Sequence, residues 1–127
     1  MKADREFLDT QQCLALMAGM TVGRVVYTHN AMPAVLPVPF RIDPDGAVVL
    51  AAGPGAELVQ AVDGAVIAFE TGEVSGADGS GWSVTVLGRA SFTPATAAGA
   101  DGFLIRLLPE VVTGRLLASP PAAAPPA

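Results

Sequence analysis

One cysteine, one histidine, one tryptophan and one tyrosine occur in the 127 residues, and only 15% of the chain is charged. These shortages narrow the chemistry before any motif is read. The lone Cys13 excludes an internal disulfide; it lies within an amphipathic helical pattern, where it reads as a small buried hydrophobe rather than a reactive thiol. Neither Cys13 nor His29, the sole histidine, has a third group at a recognisable spacing, so a nucleophilic triad is unsupported. No carboxylate cluster has ligand spacing, so no metal is expected, and His29 reads as a solvated turn residue. Seven basic residues stand against twelve acidic ones, a net charge of −5. Without any basic run, nucleic acid and anionic membrane surfaces are poor partners. No stretch reaches the roughly 20 apolar residues of a membrane span. Met1-Lys2-Ala3-Asp4-Arg5-Glu6 places acids where a secretion signal needs bare positive charge followed by an apolar run, so the protein is expected in the cytoplasm.

What the chain does have is apolar surface. Hydrophobic residues make up 51%, more than a small monomer normally hides, which points to a buried oligomer interface, an apolar pocket, or both. The length suits one domain, residues 1–118, ahead of a Pro/Ala-rich tail, 119–127, that cannot build a core and is expected to be disordered.

The local signals are mostly β. Asp9-Thr10-Gln11-Gln12 is a capping-box pattern opening a short helix that closes at Gly19. Val22 to Tyr27 reads as a strand, His29-Asn30 as its turn, and Ala34 to Ile42 as the return. Pro37 and Pro39, two apart, put both missing N–H groups on one side, so that strand is an edge or is locally unpaired. Asp43-Pro44-Asp45-Gly46 is a hairpin turn leading into Ala47 to Ala52. A helix over Ala56 to Val62, a strand over Ala65 to Glu70 and a polar loop over Ser75 to Gly81 follow. Trp82 to Thr93 alternates as a long strand with a bulge or bend at Gly88. A link, Pro94 to Ala100, precedes β segments at Phe103 to Leu108 and Pro109 to Leu117. About six strands, one helix ahead of them and one inserted after the third strand, predict a mainly β, closed or nearly closed antiparallel barrel. Side chains fill barrels of this size, so a ligand would sit outside or between subunits.

Four places invite a chemical reading. At Gly53-Pro54-Gly55 a strand breaks and runs into a helix, a geometry that presents backbone N–H groups to an anion, yet Glu57 stands where a cation would help. The corner is either a phosphate cradle or a structural turn. It is not a dinucleotide fingerprint, because the third position is Leu58 and no parallel βαβ unit is present. Glu70 ends an otherwise apolar strand and, if turned inward, needs a partner such as Arg24, Arg41 or Arg89; alternatively it faces water or an interface arginine. Trp82, after Gly81, is either core or the wall of a site for a flat ring.

Val22-Gly23-Arg24-Val25-Val26-Tyr27-Thr28, Met32 to Phe40, Val66-Ile67-Ala68-Phe69-Glu70, Gly81 to Ala90 and Val112-Thr113-Gly114-Arg115 together resemble the pyridoxamine 5'-phosphate oxidase-like flavin-binding split-barrel family, over most of residues 10–117. The resemblance implies a homodimeric six-stranded antiparallel split barrel binding FMN, or in some branches a deazaflavin, between subunits. By that resemblance Pro37, Val38, Phe40, Trp82 and Ser83 flank the flavin ring. Gly53, Gly55, Ala56, Glu57 and Leu58 approach its phosphate. Such proteins usually hold that phosphate with an arginine on the strand before the inserted helix and a Ser-Lys pair at the helix start; those positions are Ala51, Ala56 and Glu57 here. Charge-assisted hydrogen bonds contribute about 1.5–3 kcal/mol each, so losing two weakens FMN by roughly 3–6 kcal/mol, or two to four powers of ten. The segment before the last strand, Pro94 to Gly102, is also shorter than the family's.

Two functions remain open at this stage. One is a flavin-dependent oxidoreductase acting on a small apolar molecule. The other keeps the dimer but gives the groove to that molecule alone, as a cofactor-independent cyclase or isomerase, or a binding protein, with Glu70, Tyr27 or Trp82 as polar aids.

Overall fold

Asp9 accepts a hydrogen bond from Gln12 N at 2.8 Å while the Gln12 side chain accepts from Asp9 N at 2.9 Å, so the expected capping box opens the first helix. The computed structural model describes residues 7–53, 57–94 and 102–118. In order, these form β1 (Phe7–Leu8), α1 (Thr10–Ala18), β2 (Val22–His29), β3 (Met32–Ile42), β4 (Val48–Ala52), α2 (Glu57–Val62), β5 (Val66–Val74), β6 (Gly81–Pro94) and β7 (Phe103–Leu117). The expected tail at 119–127, most of the link at 94–100, and Gly55 and Ala56 lie outside the described residues.

Strands β2, β3, β4, β7, β6 and β5 close a six-stranded ring, with β1 added against the end of β7. Every pairing described is antiparallel, which rules out a dinucleotide-type parallel sheet among these residues. The two-residue turn between β2 and β3 is Asn30-Ala31, one residue later than its expected place, and both residues have positive φ, as a type I′ turn requires. The Asp43–Gly46 turn closes with Gly46 N donating to Asp43 O at 2.8 Å.

β3 pairs with β2 over Met32–Pro39 and meets β4 only over Phe40–Ile42. Because Phe40 N donates to Thr21 O, the odd-numbered amides of β3 point away from β2. Pro33, Pro37 and Pro39 therefore lie where an N–H would have no strand partner, and the locally unpaired strand expected from their spacing is what forms. The bulge also falls where Gly88 suggests it: Gly88 pairs with Pro109 and Leu87 with Val111, leaving Glu110 as the extra residue. A Cβ on Gly88 would collide with Leu108 O. Two boundaries differ from expectation. β5 continues past Glu70 to Val74, and the two segments after residue 102 are one strand.

Alternate residues fill the barrel. Val25, Leu50, Phe69, Val84, Val86, Ile105 and Leu107 are fully buried, and Phe40 meets Phe69 edge-on with ring centres 4.7 Å apart. Thr71, the one buried polar residue among those described, donates its hydroxyl to Val22 O at 2.9 Å. Cys13 is buried against Gly114, and burial pushes its thiol above its ordinary pKa, with Asp9 adding to the shift, as befits an inert core residue. No described helix is long and apolar enough to cross a membrane.

Candidate functional site

With the interior occupied by the chain's own side chains, binding chemistry falls to the outer wall. Strand register lines that wall up in rows. Val35, Val26, Ala68, Leu87 and Val111 stand side by side across β3, β2, β5, β6 and β7. The next row is Pro37, Arg24, Glu70, Thr85 and Thr113. In that row Arg24 places Nε and Nη2 at 2.7 and 2.6 Å from one oxygen of Glu70, while Ser83 Oγ donates to the other at 2.9 Å. Glu70 is thus a mid-strand carboxylate on the outer wall with both oxygens engaged. It sits where the strand continues rather than at its end.

Along the same wall an open depression of about 270 Å3 is lined by Pro39, Phe40, Arg41, Val49, Ala51 and Leu104. Arg41, Val49 and Arg106 are register neighbours on β3, β4 and β7. Their charges are answered by the β3–β4 turn: Arg41 Nε donates to Asp43 at 3.1 Å, and Arg106 donates to Asp43 at 2.8 Å and to Asp45. The Ala47 N–H, and then Arg106, hold Asp45 below the usual carboxylate range. Arg41 remains the exposed cation at the rim, and its terminal nitrogens make no hydrogen bond among the described residues.

The residues expected to flank a ring are divided by the pleat. Pro37 is exposed, whereas Val38 and Phe40 point into the core. Trp82 is half-buried and packs on that core, on the side of its strand that carries Val84, so core packing describes it. Ser83 faces the opposite way, toward Glu70. Neither Trp82 nor Ser83 lines the depression, and Val49, Arg41 and Leu104, which do, were not singled out as site residues by sequence. Alternation outward from the Asp43–Gly46 hairpin carries the missed signal, because it places Arg41 and Val49 on one face.

At the corner after β4, Gly53 is exposed and Leu58 is buried. Glu57 begins α2 and is tied to β2: His29 Nε2 lies 3.0 Å from one carboxylate oxygen, and the Tyr27 hydroxyl donates to the other at 3.4 Å. His29 is therefore not a merely solvated turn residue. It ends β2, on the same face as Tyr27, and both reach one carboxylate. Burial raises the Tyr27 pKa above its ordinary value, and the charge and acceptor of Glu57 raise it further, so the phenol stays protonated.

Residues 9–119 match the model of a family described as pyridoxamine 5'-phosphate oxidase. The uncharacterized protein Rv0080 of Mycobacterium tuberculosis is 35% identical over 89 residues, which is 66% of this chain and 58% of that relative. The match therefore spans little more than half the relative's length. A FAD binding protein from Mycobacterium smegmatis is similar in structure, with TM-score 0.73 and 27% identity over 87% of this chain and 95% of that one. A FAD-binding protein from Mesorhizobium loti shares the fold at TM-score 0.71 and 19% identity, over 89% and 96% of the two chains.

Proposed function

Since the chain belongs to the pyridoxamine 5'-phosphate oxidase family, its residues 9–119 matching that model, we propose that it is a cytoplasmic homodimer that binds a flavin on its outer wall and uses it to oxidise or reduce a small apolar molecule. One observation carries the reading: the barrel is packed solid, and its outer wall holds an open depression of about 270 Å3 lined mainly by uncharged residues. The name of the Mycobacterium smegmatis relative supports a flavin as the occupant.

The two ends of a flavin fare differently against these residues. Pro39, Val49, Ala51 and Leu104 would hold the ring by apolar contact, and Arg41 would offer its free terminal nitrogens to an acceptor on it. Bound there, a flavin supplies hydride or single-electron transfer. A terminal phosphate does not fit as well. Ala51 has no polar side-chain atom, and the side chain presented by Glu57 is an acceptor already held by His29 and Tyr27.

The dimer rests on the row from Val35 to Val111. Val35, Leu87 and Val111 are 62%, 40% and 48% exposed, and Val22, Val66 and Leu108 are exposed as well. A second copy of the same wall is the occupant that covers such a surface in a self-complementary way, and a stable interface needs about 800 Å2 from each partner.

The purified protein should show the visible absorbance of an oxidised flavin, or bind added flavin saturably, and should run as a dimer in light scattering. Colourless protein with no saturable flavin binding at tens of micromolar overturns the flavin reading. A second reading is favoured by an apolar depression of about 290 Å3 lined by Val26, Pro33, Ala61, Val66, Ala68 and Leu87, among others. There a small apolar molecule would be held without a cofactor and guided by orientation alone. Binding of an apolar probe by protein that takes no flavin separates the two.

A further inference from the structure

We propose that the depression between β3 and β4 recognises a planar ring by its imide edge, a ring N–H flanked by carbonyls, and that Pro39 is the residue that keeps the acceptor for that N–H open. The inference rests on the flavin reading above and names the edge of the ring that enters, since a flavin carries one such edge.

The acceptor follows from strand register. Asp43 N donates to Ala47 O at 2.9 Å, so the odd-numbered residues of β3 and β4 turn their N–H and C=O groups toward each other. Pairing between these strands ends at Phe40 with Leu50, a register that directs the Ala51 N–H at Pro39 O. The reciprocal bond, from residue 39 to Ala51 O, has no donor because proline carries no N–H. Polar groups alternate in direction along a strand, so those of Ala51 are turned away from β7, on the other side of β4. Among the described residues the carbonyls that accept from side chains are those of Leu8, Val22 and Gly64, not that of Ala51.

This open carbonyl lies at the depression. Pro39 and Phe40 line it from β3 and Ala51 from β4, and because Phe40 points into the core, a depression that reaches it dips between the strands where they part. Val49 and Leu104 complete an apolar floor. Arg41 pairs in register with Val49, and Ala51 is two residues further along β4 on the same face, about 7 Å away at about 3.3 Å per residue. An arginine side chain covers that span. The terminal nitrogens of Arg41 make no hydrogen bond among the described residues, so the wall offers donors and an acceptor over one floor, the complement of a carbonyl beside an N–H. A ring that covers Ala51 O without offering a donor strips it of water and leaves it unpaired, which is where discrimination arises.

The test titrates the full chain with riboflavin and with 3-methylriboflavin, in which a methyl group replaces the imide hydrogen, following flavin fluorescence for the native protein, Pro39→Ala and Arg41→Met. The native protein should bind 3-methylriboflavin ~10-fold more weakly than riboflavin. Pro39→Ala supplies the missing N–H to Ala51 O, so riboflavin should weaken and the two ligands should come within ~3-fold of each other. Arg41→Met keeps an apolar stem but loses the donors; because both ligands carry the carbonyls, both should weaken by ~3-fold or more with their ratio kept. Pro39 and Arg41 are exposed, so both variants should retain the native circular dichroism. Equal binding of the two ligands by the native protein overturns the inference, as does riboflavin binding unchanged in Arg41→Met. A ratio unmoved by Pro39→Ala assigns the effect to the bulk of the methyl group and overturns it too; in each case the flavin reading stands. If neither ligand saturates the native protein, the flavin reading fails and the inference falls with it.

Discussion

Along β5, Ile67, Phe69 and Thr71 are almost wholly removed from water, while Val66, Ala68 and Glu70 between them face outward. β2 alternates in the same way, so two surfaces with different duties are written on one set of backbones. Inside, apolar side chains interlock and substitution is felt as lost packing. Outside, an apolar row, an ion-paired row and a shallow depression lie side by side, and substitution there is felt in what binds. The split lets the barrel persist whatever stands at exposed positions such as Ala51 and Glu57. Fold and ligand are specified by different halves of the residues.

The comparison breaks first if the interior tolerates truncation. Phe69 is fully buried, meets Phe40 edge-on and fills the space left by Gly23, where a Cβ would strike its ring. Phe69→Ala should lower unfolding free energy by about 3–5 kcal/mol, seen as an earlier urea midpoint with an unchanged slope. A loss under about 1 kcal/mol would mean that the wall, not the interior, holds the barrel together.

Outer-wall changes should do the opposite, leaving stability nearly constant and moving affinity. The double change Ala51→Arg with Glu57→Lys puts a cation beside the depression and replaces the carboxylate at the start of α2 with another. It should tighten FMN by about 3 kcal/mol, close to two powers of ten, while the urea midpoint hardly shifts. No gain in FMN affinity would show that the depression does not receive the ring. Leu87→Arg probes the neighbouring row. A charge in the middle of Val35 to Val111 should convert the proposed dimer to monomer in light scattering and change protomer stability by less than about 1 kcal/mol, because Leu87 is already 40% exposed.

How much of this was legible in the chain follows the range of the interactions. Asp9 with Gln12, the Asp43–Gly46 turn and the Gly88 bulge were readable because each is decided within a few residues by side-chain capping or backbone permissiveness. The end of β5 was not. Thr71-Gly72-Glu73 looks like the start of a loop, but Thr71 is buried by a bond to Val22, and Gly72 lies so close to Trp82 O that only glycine fits. Glu70 was accordingly read as terminal when it is central. The pairing of Arg24 with Glu70 was within reach as one of three named options; that of His29 and Tyr27 with Glu57 was not, since 28 and 30 positions of chain separate them. Their meeting depends on where α2 settles against β2, a matter of packing rather than of local pattern.

The smallest expected effect tests that last contact. Tyr27 belongs to the interior by burial, yet its hydroxyl reaches the exposed Glu57 carboxylate, so it is where interior and surface touch. Its pKa is raised chiefly by burial and then by Glu57. Both folded and unfolded phenols are protonated below the ordinary value of about 10, so the stabilisation is complete there. As pH climbs past that value the unfolded phenol ionises first, and the contribution is lost as pH rises through the higher folded-state value. The chain has one tyrosine, so its tyrosinate absorbance reports this group alone: the folded protein should titrate at higher pH than the same chain in urea. Tyr27→Phe should lower stability by about 0.5–1 kcal/mol near neutral pH and flatten this part of the alkaline slope. A folded-state titration at or below the denatured one would show that neither burial nor Glu57 holds the phenol protonated.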